Sequence, residues 1–107
     1  HEDELACSTS SGTCYSLSLK SSSIIKEWSP HSEECRSIRY SPSGGWVLSS
    51  SYDGSVVLSD AGSYQWSVVT RFSNKVIQSR WDTTGDLFAC TSADKTVSFW
   101  KNNNNNL

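Results

Sequence analysis

One pattern is written twice in this chain, 41 residues apart. Laying 75–100 under 34–59 puts Tyr40 on Trp81, Trp46 on Leu87, Ser51 on Ser92, Asp53 on Asp94, Val56 on Val97 and Leu58 on Phe99. A shift of 42 the other way puts Gly54 on Gly12, Ser55 on Thr13 and Val57 on Tyr15, a weaker and partial third copy. Within the copies, short runs, most of them rich in β-branched or aromatic residues, are bounded by Gly, Pro, Asp or Ser, the residues that turns require. The pattern predicts strands at 5–8, 13–17, 24–28, 35–40, 46–51, 55–58, 66–71, 75–81, 87–92 and 96–100. Such a chain has to fold as a stack of like units, because one repeat alone cannot bury its apolar face.

A period of roughly 40–45 residues with about four strands per unit resembles the WD repeat, whose units are the blades of a β-propeller. The expected fold class is all-β, a WD40 β-propeller fragment of about two and a half four-stranded antiparallel blades. Strands a, b, c and d of a blade run outward from a central channel. By register, residues 1–28 form a partial blade with strands b–d, 29–72 a complete blade, and 73–101 a last blade with strands a–c. Residues 102–107, five asparagines and a leucine, read as a low-complexity disordered tail. In closed WD rings the outer strand of the last blade is commonly supplied by the N-terminal part, so ending at strand c suits a C-terminal blade. The chain begins with His and contains no Met, which fits a piece of a longer protein. The remaining blades of the same propeller are then its first expected partner.

Bulk properties remove several function classes. A net charge of −2 gives no electrostatic footprint for nucleic acid or an anionic membrane. No apolar run approaches the ~20 residues of a membrane span, and the acidic start His-Glu-Asp-Glu-Leu is unlike a secretory leader. The four cysteines, Cys7, Cys14, Cys35 and Cys90, could make two disulfides in a secreted domain, but no secretory context is visible. No pair has the Cys-x-x-Cys spacing of a zinc ribbon. Cys7, Cys35 and Cys90 fall on predicted strands and read as small buried hydrophobes.

His31, Ser49 and Asp53 lie in one unit and could be read as a Ser-His-Asp triad of a hydrolase. The WD resemblance implies a structural role instead. In these repeats a His before strand a, a Ser or Thr on strand b, an Asp in the b–c turn and a Trp on strand c form a hydrogen-bonded tetrad. His31, Ser49 and Asp53 fill three of the positions, with Ser59 in place of the Trp. The last blade keeps Asp94 and Trp100, has Cys90 at the Ser position and leaves the His position unfilled. The partial unit has Cys7 and Ser11 at the Ser and Asp positions. The Trp81-Asp82 dipeptide ends strand a, not strand c, so Trp81 is expected to be a core aromatic between blades.

Partner contacts in propellers usually come from polar residues at the rim of the channel. The candidates by register are Arg36, Ser37 and Tyr52 on the complete blade, and Ile77, Gln78 and Ala93 on the last; Arg and Tyr are favoured interface anchors. A basic set, Arg36, Arg39, Arg71, Lys75 and Arg80, contains an in-register pair, Arg39 and Arg80. It can be read as ion pairs with Glu33, Glu34 or Asp86, or as a shallow positive patch for an acidic protein partner. No catalytic residue, cofactor site or metal site is assigned.

A narrower resemblance rests on the runs Pro30-His31-Ser32, Arg36-Ser37-Ile38-Arg39-Tyr40-Ser41-Pro42, Ser51-Tyr52-Asp53, Asn74-Lys75-Val76-Ile77-Gln78-Ser79-Arg80-Trp81 and Ser92-Ala93-Asp94-Lys95-Thr96-Val97. These are similar to the closing blades of the nemitin family of WD-repeat proteins. That resemblance implies a non-catalytic, cytoplasmic, microtubule-associated adaptor whose partners include microtubule-associated proteins. A WD adaptor of another multiprotein complex, such as one in ribosome assembly, is the alternative.

Overall fold

The computed structural model describes residues 4–101; the asparagine tail expected at 102–107 lies outside them. Ten strands follow one another: β1 (Glu4–Ser8), β2 (Cys14–Ser18), β3 (Ser23–Trp28), β4 (Cys35–Tyr40), β5 (Trp46–Ser51), β6 (Ser55–Asp60), β7 (Trp66–Arg71), β8 (Val76–Trp81), β9 (Leu87–Ser92) and β10 (Val97–Lys101). They form three antiparallel sheets in chain order, β1-β2-β3, β4-β5-β6-β7 and β8-β9-β10. The expected strands are all present, with ends displaced by at most two residues. The sheets hold three, four and three strands in chain order.

The repeat extends to the hydrogen bonds of the turns. Ser41 closes the turn after β4 by accepting from Trp46 N (3.1 Å), and Asp82, in register with it, accepts from Gly85 N (2.8 Å) and Leu87 N (3.3 Å) after β8. The Ser51 hydroxyl donates to the Glu34 carbonyl at 2.8 Å, and Ser92 repeats this on Lys75 at 2.9 Å. Strands β4 and β8 carry register shifts at equivalent places, between Cys35 and Ser37 and between Val76 and Gln78. Each shift leaves one extra residue, Arg36 or Ile77, outside the ladder, and a bulge of this kind re-aims a side chain.

Two cores hold the blades together, one on each face of the middle sheet. Cys14, Trp28, Cys35, Ile38 and Val47 pack between the first two sheets; Leu48, Val56, Leu58, Val76, Phe88 and Cys90 pack between the last two. Alternation along β5 and β6 sends side chains to both cores, so both strands are buried almost throughout. Trp81 meets Phe88 edge-on with ring centroids 5.4 Å apart, but it is half-buried and packs at the edge of this core rather than inside it. Gly12 shows why the turn between β1 and β2 needs glycine. Its φ is +91°, and a Cβ there would lie 2.4 Å from the His31 carbonyl oxygen in the loop leading to the next blade. Gly54 repeats the situation, with φ +87° and the Phe72 carbonyl oxygen 2.7 Å from the would-be Cβ.

Candidate functional site

The middle strands carry many serines, and most of them are buried. Ser49, Ser50 and Ser51 are all fully enclosed. A buried hydroxyl is costly unless it is bonded. Each of the three finds a different partner: Ser49 reaches His31, Ser50 accepts from Ser79 across the blade interface at 3.2 Å, and Ser51 donates to loop carbonyls.

His31 is the centre of the polar network. Its Nδ1 lies 2.8 Å from Ser55 Oγ and its Nε2 lies 2.9 Å from Ser49 Oγ. The Ser55 hydroxyl donates to Asp53 Oδ1 in a short contact. An ionised carboxylate only accepts, so Ser55 spends its proton on Asp53 and must accept from Nδ1–H of His31. With the proton on Nδ1 alone, Nε2 accepts from the Ser49 hydroxyl. Asp53 Oδ2 sits 3.6 Å from Nδ1 and also accepts from Ser32 N at 2.9 Å. Burial pushes the Asp53 carboxyl up, but the Ser55 hydroxyl, the Ser32 and Ser55 N–H groups and the facing His31 outweigh it and hold it below its ordinary value. A group with a depressed folded-state value contributes stability above its unfolded value, about 3.9, and loses it as pH falls further through the folded value. Acid unfolding followed by circular dichroism should therefore show part of the loss below about pH 4, and Asp53→Asn should shrink that part.

The last blade divides the corresponding residues. Asp94 accepts from Ser73 Oγ (3.0 Å), Thr96 N (2.9 Å) and the Thr96 hydroxyl, copying Asp53 with Ser32 and Ser55. Trp100 Nε1 donates instead to Ser98 Oγ at 2.9 Å, on its own strand. Asp94 and Trp100 thus serve separate local contacts. Cys90 is fully buried, and burial pushes its thiol up to about 11, as befits a packing residue. All four cysteines are free thiols; Cys7 is half-buried and the other three are buried. In the first sheet Ser11 stands where Asp53 would, bonded to Thr9 and Thr13 hydroxyls.

Ser59, which stands at the strand-c tryptophan position, meets a tryptophan from outside its sequence unit. Trp28, at the end of β3 in the preceding blade, donates from Nε1 to Ser59 Oγ at 3.1 Å and packs on Tyr64 at 4.9 Å. No periodic signal points to this residue: the position 41 further on is Val69.

The candidate contact residues divide by exposure. Arg36 and Ile77 are exposed, and Gln78 is half-buried. Ser37 is buried and gives its hydroxyl to the Ser79 carbonyl at 3.3 Å. Tyr52 is half-buried beneath the Lys75 ammonium, 4.6 Å from its ring centroid. Arg36, Ile77 and Gln78 border one open hollow of about 460 Å³, together with Arg39. Among the described residues no group of His, Cys, Asp and Glu converges as metal ligands, and no helix is long and apolar enough to cross a membrane.

Residues 22–60 and 66–101 match the WD domain, G-beta repeat. The chain belongs to the WD40 family. Both WD40 matches begin at or near an outer strand and end with strand c, so each one spans two neighbouring blades. A similar solved structure is the β-propeller domain of Cps50 (Swd1) from Myceliophteria thermophila, with a TM-score of 0.85 over 94% of this chain at 20% identity. The chain spans about one third of that propeller, 33% of its length. No curated protein matches the chain. WD40 propellers are in general non-catalytic protein-interaction domains.

Proposed function

We propose that this chain is part of a non-catalytic protein-interaction scaffold, the C-terminal part of the propeller of a cytoplasmic, microtubule-associated adaptor. The observation that carries the scaffold reading is the placement of its one triad-like set. Ser49 is fully enclosed and His31 only 6% exposed, so no substrate carbonyl can reach the serine oxygen in this fold. The polar groups that might do chemistry are consumed in holding a blade together, while strand-a residues and turns remain outside to meet partners.

Support for the microtubule context is the similarity of the Val76-Ile77-Gln78-Ser79-Arg80-Trp81 run and its companions to the nemitin family. The test is co-sedimentation of the full-length protein with microtubules, with and without their associated proteins. Pelleting that rises with microtubule concentration is expected. If the protein stays in the supernatant in both cases, the microtubule reading falls. Labelling of Ser49 in the native protein by an active-site serine probe would overturn the non-catalytic reading.

A further inference from the structure

The inner strands of the two neighbouring blades line up their arginines. Arg39 and Arg80 occupy the same place one repeat apart and border one hollow of about 270 Å³, walled by Tyr40 and Trp81. Arg39 also borders the larger hollow, which it shares with Arg36 and with Ala6, Cys7 and Ser8 of β1. All three arginines are exposed.

Their charges are largely uncompensated. Arg36 has Glu34 at 3.8 Å, an exposed pair of little strength. Among the described residues no carboxylate lies within ion-pair distance of Arg39 or Arg80. Arg39 Nη1 donates to the Ile38 carbonyl at 3.0 Å, and with the Gln78 amide assigned so that its oxygen faces Arg80, Nε and Nη2 of Arg80 donate to it at 2.9 and 2.8 Å. These are neutral acceptors that orient the planar groups without cancelling their charge. Asp82 also borders the smaller hollow; its carboxylate accepts from Thr84, Gly85 and Leu87 of its own turn and keeps its negative charge, so the hollow sets two guanidiniums against one carboxylate. Of the two readings of the basic set, ion pairing accounts for Arg36 alone.

We infer that Arg39 and Arg80 form a docking wall for an acidic peptide whose Glu or Asp carboxylates lie across the two guanidiniums. Charge complementarity selects this occupant: two forks an inter-blade distance apart present donors to successive carboxylates, and charge-assisted bonds of this kind are stronger than those to neutral acceptors. The half-exposed Trp81 gives the peptide backbone an apolar surface. The inference rests on the scaffold reading and names the chemistry of one partner.

The test is fluorescence anisotropy of a short labelled peptide alternating Glu and Ala, titrated with the full chain. The peptide should bind, weaken with added salt, and bind less when each Glu is replaced by Gln. Arg39→Glu with Arg80→Glu should weaken binding by about tenfold or more, while Arg39→Lys with Arg80→Lys keeps the charge and loses less. Arg71→Glu, on the outer strand β7, should leave binding unchanged. Circular dichroism confirms that each variant is folded. No binding by the wild type, equal binding of the Gln peptide, or indifference to the double Glu variant overturns the inference. So does equal binding of a single-stranded oligonucleotide, which would mark a generic polyanion surface. A protein that pellets with microtubules yet ignores the Glu peptide loses this inference and keeps the scaffold reading.

Discussion

His31→Ala is expected to lower the unfolding free energy by about 2–4 kcal/mol, measured by urea unfolding of the full chain. The imidazole is fully buried and bonds to two hydroxyls, Ser49 and Ser55, both enclosed. Alanine leaves the Ser49 hydroxyl without an acceptor and the Ser55 oxygen without a donor, and opens a cavity between the loop and β5. Removing one partner costs the desolvation of the groups left behind, which exceeds the net value of the bonds themselves. Asp53→Asn should cost less, because its one amide oxygen can still accept from Ser55, although Ser32, bonded to the other carboxylate oxygen, then faces the amide NH2. If His31→Ala unfolds at the wild-type urea concentration, the network carries no stability and its structural role is refuted.

Trp28→Ala should cost about 3–5 kcal/mol, the range for removing a buried aromatic. Trp28 is 7% exposed and belongs to the core shared by the first two blades, so its loss loosens the stacking between them. Trp28→Phe separates packing from hydrogen bonding. It keeps most of the ring but leaves Ser59, which is fully buried, without its donor, for a cost of about 1–3 kcal/mol. Adding Ser59→Ala to Trp28→Phe should then recover stability, because no orphaned hydroxyl remains. A double variant no more stable than Trp28→Phe would show that the indole acts by packing alone.

Much of the fold was legible because its repeat is short and its turns are chemically explicit. The Ser-Pro-Ser-Gly turn after β4 and the Asp-Thr-Thr-Gly-Asp turn after β8 differ in residues but close with the same bonds, so the strands between them fall at predictable places. His31, Ser49 and Asp53 were legible as a group because each stands at a fixed offset within the repeat. The division of Asp94 from Trp100 was not. Which acceptor an indole reaches depends on a side-chain torsion, and Ser98 is nearer to hand on the same strand.

The sequence by itself determined the all-β class, the period, the strand positions and the glycines that turns require. These depend on local backbone preferences and alternation, which neighbouring residues fix. Only the tertiary structure decided which serines are core, that Trp28 crosses from one blade to Ser59 of the next, that Ser37 is enclosed while Arg36 is not, and that Arg39 and Arg80 share one hollow. Those facts depend on how whole sheets stack, and stacking brings together residues whose separation in the chain carries no local signal.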